Sequence, residues 1–305
     1  MVDQKVESAP PGCLASGRLR AYHPPAMVHH YPIPRDVLGC IVTGYAKGGT
    51  TLLKDLVVQT TGMVGRFEGG LLLAEAPRDG IPEPHAAHLV AAWRPAAGFL
   101  DRYRQCASFE DGYRLLRESA AALPRHDAPL VDKTPEYLVR LDDVLRRAPL
   151  TPVVIVIRDP VHVAVSWMQL GNPLVDTVAW LRAATESLVA AIESDDQARR
   201  VFVVNFGDLL RDVDAPMARL HEWLGLPHVP MPAGMKYGLP FVQAGRVRLP
   251  RGIELDRHDI NSRCSPVELE RVRREVARAI PLAARIAGLP SGPAAGCRPT
   301  RRRAA

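Results

Sequence analysis

Long apolar runs are missing from this sequence. The longest, such as Val153–Ile157, fall far short of the roughly 20 residues that a membrane helix needs. The N-terminus shows no charged-then-apolar pattern of the secretory kind. Both absences predict a chain without stable membrane insertion, and count against an anchored enzyme of the Golgi type. Cysteine is scarce as well. The five cysteines are Cys13, Cys40, Cys106, Cys264 and Cys297, and none lies within four residues of another. That excludes zinc-type spacing, and the odd number predicts reduced thiols in a cytoplasmic protein. No internal repeat is present. No basic patch is interleaved with aromatics, so nucleic acid is not the expected partner.

What is present is ordinary globular composition. The chain has 305 residues, 47% hydrophobic and 24% charged. The length permits one large α/β domain or two small ones, with a core that needs no disulfide or metal. The net charge of +6 suits an anionic ligand. Part of that surplus sits at Arg298 and Arg301–Arg303. Residues 1–36, with Pro10, Pro11, Pro24, Pro25, Pro32 and Pro34, read as an irregular arm. The Gly/Pro/Arg-rich stretch 291–305 reads as a disordered basic tail.

Between them, in 37–290, short apolar runs alternate with helical patterns. Strands are expected at Leu38–Thr43, Pro129–Asp132, Val153–Ile157 and Val201–Phe206. Helices are expected at Thr51–Thr60, Val178–Ser194 and Met217–Leu224. A further helix runs from the capping box Ser265-Pro266-Val267-Glu268 to about Ile280. The alternation predicts a three-layer α/β/α domain around a central parallel sheet.

The segment Gly44-Tyr-Ala-Lys-Gly-Gly-Thr-Thr51 joins the first strand to the first helix. A helix N-terminus offers unpaired N–H groups and partial positive charge, and Gly48 and Gly49 permit close approach of an anion. Lys47 adds a cation, and Thr50 and Thr51 add hydroxyls. The segment is either a phosphate grip or a plain glycine-containing turn. It is not a Walker A loop, because Thr50 stands where that pattern has its lysine.

A second constellation follows Val153–Ile157. Arg158-Asp159-Pro160 leads into a helix that carries Ser166, with Asp159 as its cap. A guanidinium fork and a hydroxyl at the carboxyl end of a buried strand suit a terminal phosphate. Taken singly, Arg158 could be a structural ion-pair partner and Ser166 a solvent-facing residue.

Together, Lys47-Gly-Gly-Thr-Thr51 and Arg158-Asp-Pro-x5-Ser166 resemble the PAPS-dependent sulfotransferase family. Asp132-Lys133-Thr134-Pro135 and Asn205-Phe206-Gly207-Asp208-Leu209 add weaker matches, so the resemblance covers about residues 38–225. The chain departs from the family at Ala46 and Gly48, which replace proline and serine. Phe206 and Gly207 replace tyrosine and glutamate.

The resemblance implies a P-loop-like fold and sulfuryl transfer from PAPS to a hydroxyl, releasing PAP without a metal. It implies that Lys47, Gly48, Gly49, Thr50, Thr51 and Leu52 hold the 5′-phosphosulfate, and that Arg158 and Ser166 hold the 3′-phosphate. Arg246, Arg248 and Arg251 are candidates for a basic loop over that phosphate, or simply a solvated loop. Lys47 and Lys133 would be catalytic, with Glu68 as general base and Glu75, His85 and His88 as competitors. The stretch from Arg66 to roughly Tyr113 would cover a pocket for a small-molecule, glycolipid or other carbohydrate acceptor. The alternative is a small-molecule kinase using ATP and Mg²⁺.

Overall fold

The computed structural model describes residues 37–231 and 263–294, together with the backbone of the short strands Lys236–Tyr237, Phe241–Gln243, Arg246–Arg248 and Arg251–Gly252. The arm of residues 1–36 lies outside the described residues.

The sheet is built from four apolar runs. They are β1 (Leu38–Gly44), β2 (Leu130–Lys133), β3 (Val153–Ile157) and β4 (Val201–Asn205). Their order is β2-β1-β3-β4, all parallel, with an antiparallel edge strand Gly292–Pro293 beside β4. Ile41 pairs with Val153, and Val153 with Val201.

Successive residues of a strand point to opposite faces, so a strand buried on both faces carries no polar alternation. Two clusters result. Cys40, Val42, Val154, Val156, Phe202 and Val204 pack with Leu52, Leu53, Leu56 and Val57 of helix α1 (Thr50–Thr61), and with Met217, Leu220 and Trp223. Ile41, Val153, Ile155, Ile157, Val201 and Val203 pack on the other face, with Leu181, Ala184 and Leu188 of the helix Leu174–Glu193. These are the outer layers of the expected three-layer domain.

The helix Pro266–Ala279 has the expected capping box between Ser265 and Glu268. Two expectations need correction. Phe206 belongs to a helix, Phe206–Arg211, because the Asn205 side chain caps it by accepting from the Gly207 N–H. The chain also does not become a tail at 291. Ser291 and Ala294 are buried, and the Ser291 hydroxyl donates to Asp208 and accepts from the Asn205 N–H. Composition alone concealed a strand made of glycine and proline.

The carboxyl ends of β1, β2 and β3 lie side by side. Chain order leaves β1 toward β2 on one side and β3 on the other, so the crevice beyond β1 and β3 is the place where ligands bind in open parallel sheets.

Candidate active site

The loop after β1 is held by its backbone. The Gly48 N–H donates to the Tyr45 carbonyl at 2.6 Å, closing a turn that forces Lys47 to a left-handed φ of 68°. Such a φ is uncommon for a residue with a side chain, and persists only where neighbours fix it. Several neighbours do. Trp167 Nε1 donates to the Ala46 carbonyl at 2.8 Å, and Arg158 Nη1 donates to the Lys47 carbonyl at 3.2 Å. The Tyr45 and Thr185 hydroxyls hydrogen-bond at 2.6 Å.

Gly49 follows at φ 103°, and a Cβ there would lie 2.5 Å from the Phe206 ring. The Arg158 guanidinium stands over the other end of this contact, 4.8 Å from the Phe206 ring centroid. Phe206 therefore packs between the loop at Gly49 and the Arg158 guanidinium. The first hydrogen bond of α1 runs from the Leu53 N–H to the Gly49 carbonyl. The N–H groups of Thr50, Thr51 and Leu52 thus lack a partner within the helix, and no side chain caps it. The Leu52 side chain itself is in the core.

Asp159 caps the helix Pro160–Met168 by accepting from the Val161 N–H at 2.8 Å. Ser166 lies on that helix, half-buried, and donates to the His162 carbonyl at 2.9 Å. Arg246, Arg248 and Arg251 fall on short antiparallel strand pairs rather than a loop, and their side chains lie outside the described residues.

The second part of the site is made of side chains around the end of β2. Asp132 is fully buried and works as a hub. It accepts from the hydroxyls of Tyr113 and Tyr137 at 2.6 and 2.7 Å, from the Thr134 hydroxyl at 3.0 Å and from the Gly69 N–H at 3.2 Å. Burial pushes both tyrosine hydroxyls far above their usual range, so they remain donors. The Gly70 N–H donates to Thr134, and a Cβ at Gly70 (φ 69°) would meet the His85 Cβ at 2.6 Å. These contacts fix the loop that carries Glu68.

Glu68 Oε1 accepts from Lys133 Nζ at 2.9 Å. The lysine is 1% exposed and also lies 4.0 Å from the centroid of the Phe67 ring. Glu68 Oε2 faces two histidines, His88 Nδ1 at 3.5 Å and His85 Nδ1 at 3.9 Å. Both belong to α2 (His85–Trp93), three residues apart and so on one side of it. Burial lowers the pKa of His85, partly offset by Glu68 and Asp132.

Glu136 completes the group, with Oε2 3.8 Å from His85 Nε2. Its side chain is 39% exposed, but Oε2 itself is sealed and has no hydrogen-bond partner. Burial, with help from Glu68, pushes this carboxyl up to about 7.

The structure thus brings Lys133, Glu68, His85 and His88 together. Glu75 lies outside that group, mostly exposed and paired with Arg147 at 2.7 Å. Glu136 was missed. The i,i+3 histidines were a readable signal, but nothing local marks Glu136 as their neighbour. Two aromatics of the stretch 66–113 belong to the core. Trp93 and Tyr103 are buried and tied to the backbone carbonyls of Phe67 and Leu71.

Comparisons with known proteins bear on the fold and the family. Several solved structures are similar to the chain, two of them sulfotransferase domains of biosynthetic systems. A sulfotransferase domain from the curacin biosynthetic pathway is 16% identical, covers 79% of this chain and 98% of its own, and superposes with a TM-score of 0.54. The sulfotransferase domain of the Synechococcus PCC 7002 olefin synthase is 19% identical, covering 68% of this chain and 78% of its own at a TM-score of 0.49. At such identities the first of these speaks for the fold. A comparison with curated proteins gives no match. Residues 40–230 match the sulfotransferase family, a span that includes the loop after β1, the β2 end and Arg158. The chain belongs to the sulfotransferase family.

Proposed function

We propose that this sulfotransferase moves a sulfuryl group from PAPS to a hydroxyl of a small-molecule, glycolipid or other carbohydrate acceptor, releasing PAP. The observation that carries the reading is the meeting of two anion-binding devices in the crevice beyond β1 and β3. One is the α1 N-terminus with Lys47, and the other is Arg158, which donates to the Lys47 carbonyl. A nucleotide donor with phosphates at both its 3′ and 5′ ends suits that arrangement.

In the proposed step the acceptor oxygen attacks sulfur. A new S–O bond forms as the S–O bond to the 5′-phosphate breaks. The electron pair leaves on the phosphate oxygen of PAP, where Lys47 and the N–H groups of Thr50, Thr51 and Leu52 stabilise the charge; the Gly48 N–H is spent on the Tyr45 carbonyl, so Gly48 serves the site by shaping the turn. The hydroxyl proton goes to Glu68. Lys133 holds Oε1 of that carboxylate, so Oε2, beside His88, is the oxygen left to take the proton. Arg158 and Ser166 hold the 3′-phosphate in this reading, and Ser166 would exchange its bond to the His162 carbonyl for one to phosphate.

The test is a thermal-shift comparison of PAP, ADP and ATP. A ligand that binds only the folded state raises Tm. PAP raises Tm in the wild type, whereas ADP and ATP with Mg²⁺ do not. Lys47→Ala leaves the unliganded Tm unchanged and abolishes turnover of PAPS. A larger shift with ATP than with PAP, or wild-type turnover in Lys47→Ala, overturns the donor assignment.

A further inference from the structure

We propose that Glu68, His85 and His88 form a binding site for a first-row divalent cation, with zinc the best match to the donor set. The inference stands apart from the donor assignment, because it concerns the acceptor side and its test reads metal binding.

Three observations carry it. First, Glu68, His85 and His88 each offer one ligand atom, and the three atoms lie within 4.8 Å of one another. Around a tetrahedral zinc with bonds of 2.0–2.1 Å, ligand atoms stand about 3.3 Å apart. The 3.5 and 3.9 Å separations from Oε2 need only a modest contraction. His88 can supply it by rotation, since its side chain is 30% exposed.

Second, the histidine nitrogens that face Glu68 are buried and have no hydrogen-bond partner. The His85 side chain is 8% exposed, so its Nδ1 is sealed from water and aimed at Oε2. A buried polar atom without a partner is costly, and a cation bound there removes the cost. Third, Glu136 stands behind His85, on its other nitrogen at 3.8 Å. A carboxylate at the far nitrogen of a ligating imidazole fixes the ring and raises its basicity.

The set is thus two histidines and one carboxylate with a fourth position left open, the arrangement of zinc sites that bind water or substrate. Lys133 occupies Oε1 and does not block the lone pairs of Oε2. A cation on Oε2 takes the lone pair that a general base would use. Occupancy of the metal site and proton uptake by Glu68 therefore exclude each other.

The experiment uses the full chain, stripped with a chelator and desalted, and titrated with Zn²⁺ against a chromophoric competitor. Co²⁺ serves as the spectroscopic probe. The expected result is one equivalent of zinc, and cobalt visible bands of four-coordinate strength. His88→Ala lowers the affinity by more than about 100-fold, beyond the 10–100-fold that outer partners are worth. Glu136→Gln lowers it by about tenfold. His88 is partly exposed on a helix and alanine favours helix, so His88→Ala stays folded, as circular dichroism will verify. It decides the matter even if His85→Ala, against Gly70, does not fold. Absence of stoichiometric binding at low micromolar zinc overturns the site, as does binding that His88→Ala leaves unchanged.

Discussion

The two halves of this site are built from different materials. In the loop after β1, the backbone does most of the positioning. A left-handed Lys47, Gly49 under the Phe206 ring and the uncapped start of α1 define it. Around the end of β2, side chains from segments about 65 residues apart converge, held by Asp132 and its hydroxyl and N–H donors. A backbone device depends on a few glycines and on the strand-to-helix geometry. A side-chain cluster depends on a buried network in which each member leaves others unpaired when it is removed. The two halves should therefore fail separately.

The largest effect is expected at the hub. Asp132→Ala leaves the buried hydroxyls of Tyr113 and Tyr137 without an acceptor, at about 1–3 kcal/mol for each orphaned group. Denaturant unfolding should show a loss of roughly 3–5 kcal/mol in all. Asp132→Asn, which keeps the shape, should lose less. Any Asp132→Ala protein that remains folded should still bind PAP. Loss of PAP binding there would show that the halves are one cooperative unit.

Arg158→Ala probes the other half. Hydrogen bonds to charged groups are worth about 1.5–3 kcal/mol, so calorimetry should show PAP binding weakened by roughly 10–100-fold. Global stability and zinc binding should stay close to wild type. Unchanged PAP affinity would move the 3′-phosphate elsewhere.

The smallest effect concerns Glu136. Its carboxyl is raised to about 7 by burial and by Glu68, against 4.5 unperturbed. A carboxyl raised in the folded state supplies stability at low pH that is lost as pH climbs through the folded pKa. Glu136→Gln has no proton to lose. In chelated protein its Tm should match wild type near pH 5 and exceed it near pH 8 by on the order of 2 °C. The increment is small because the side chain is 39% exposed and partly screened. A constant Tm difference between the two pH values would remove Glu136 from the cluster.

The sequence was most informative where a short segment makes its own structure. Val153–Ile157 reads as a strand because every residue is apolar and buried on one face or the other. The Ser265–Glu268 capping box, the Asp159 cap and the Gly44–Thr51 loop are likewise local, since spacing within a few residues decides them. It failed where partners are distant. The strand Gly292–Pro293 forms because Ser291 and β4 hold it, and neither residue favours a strand alone.

The amino-acid sequence by itself determined the alternation of strands and helices, the glycine loop between β1 and α1 and the place of Arg158 just after a buried strand. Those features rest on hydrophobic periodicity and on glycine and capping chemistry, which act over a few residues. Only the tertiary structure decided that Glu68 meets Lys133, that Glu75 does not join them, and that His85, His88 and Glu136 close around the same carboxylate. The parallel sheet sets that outcome. It places the end of β2 beside β1, and the Asp132 network then pins the Glu68 loop over it.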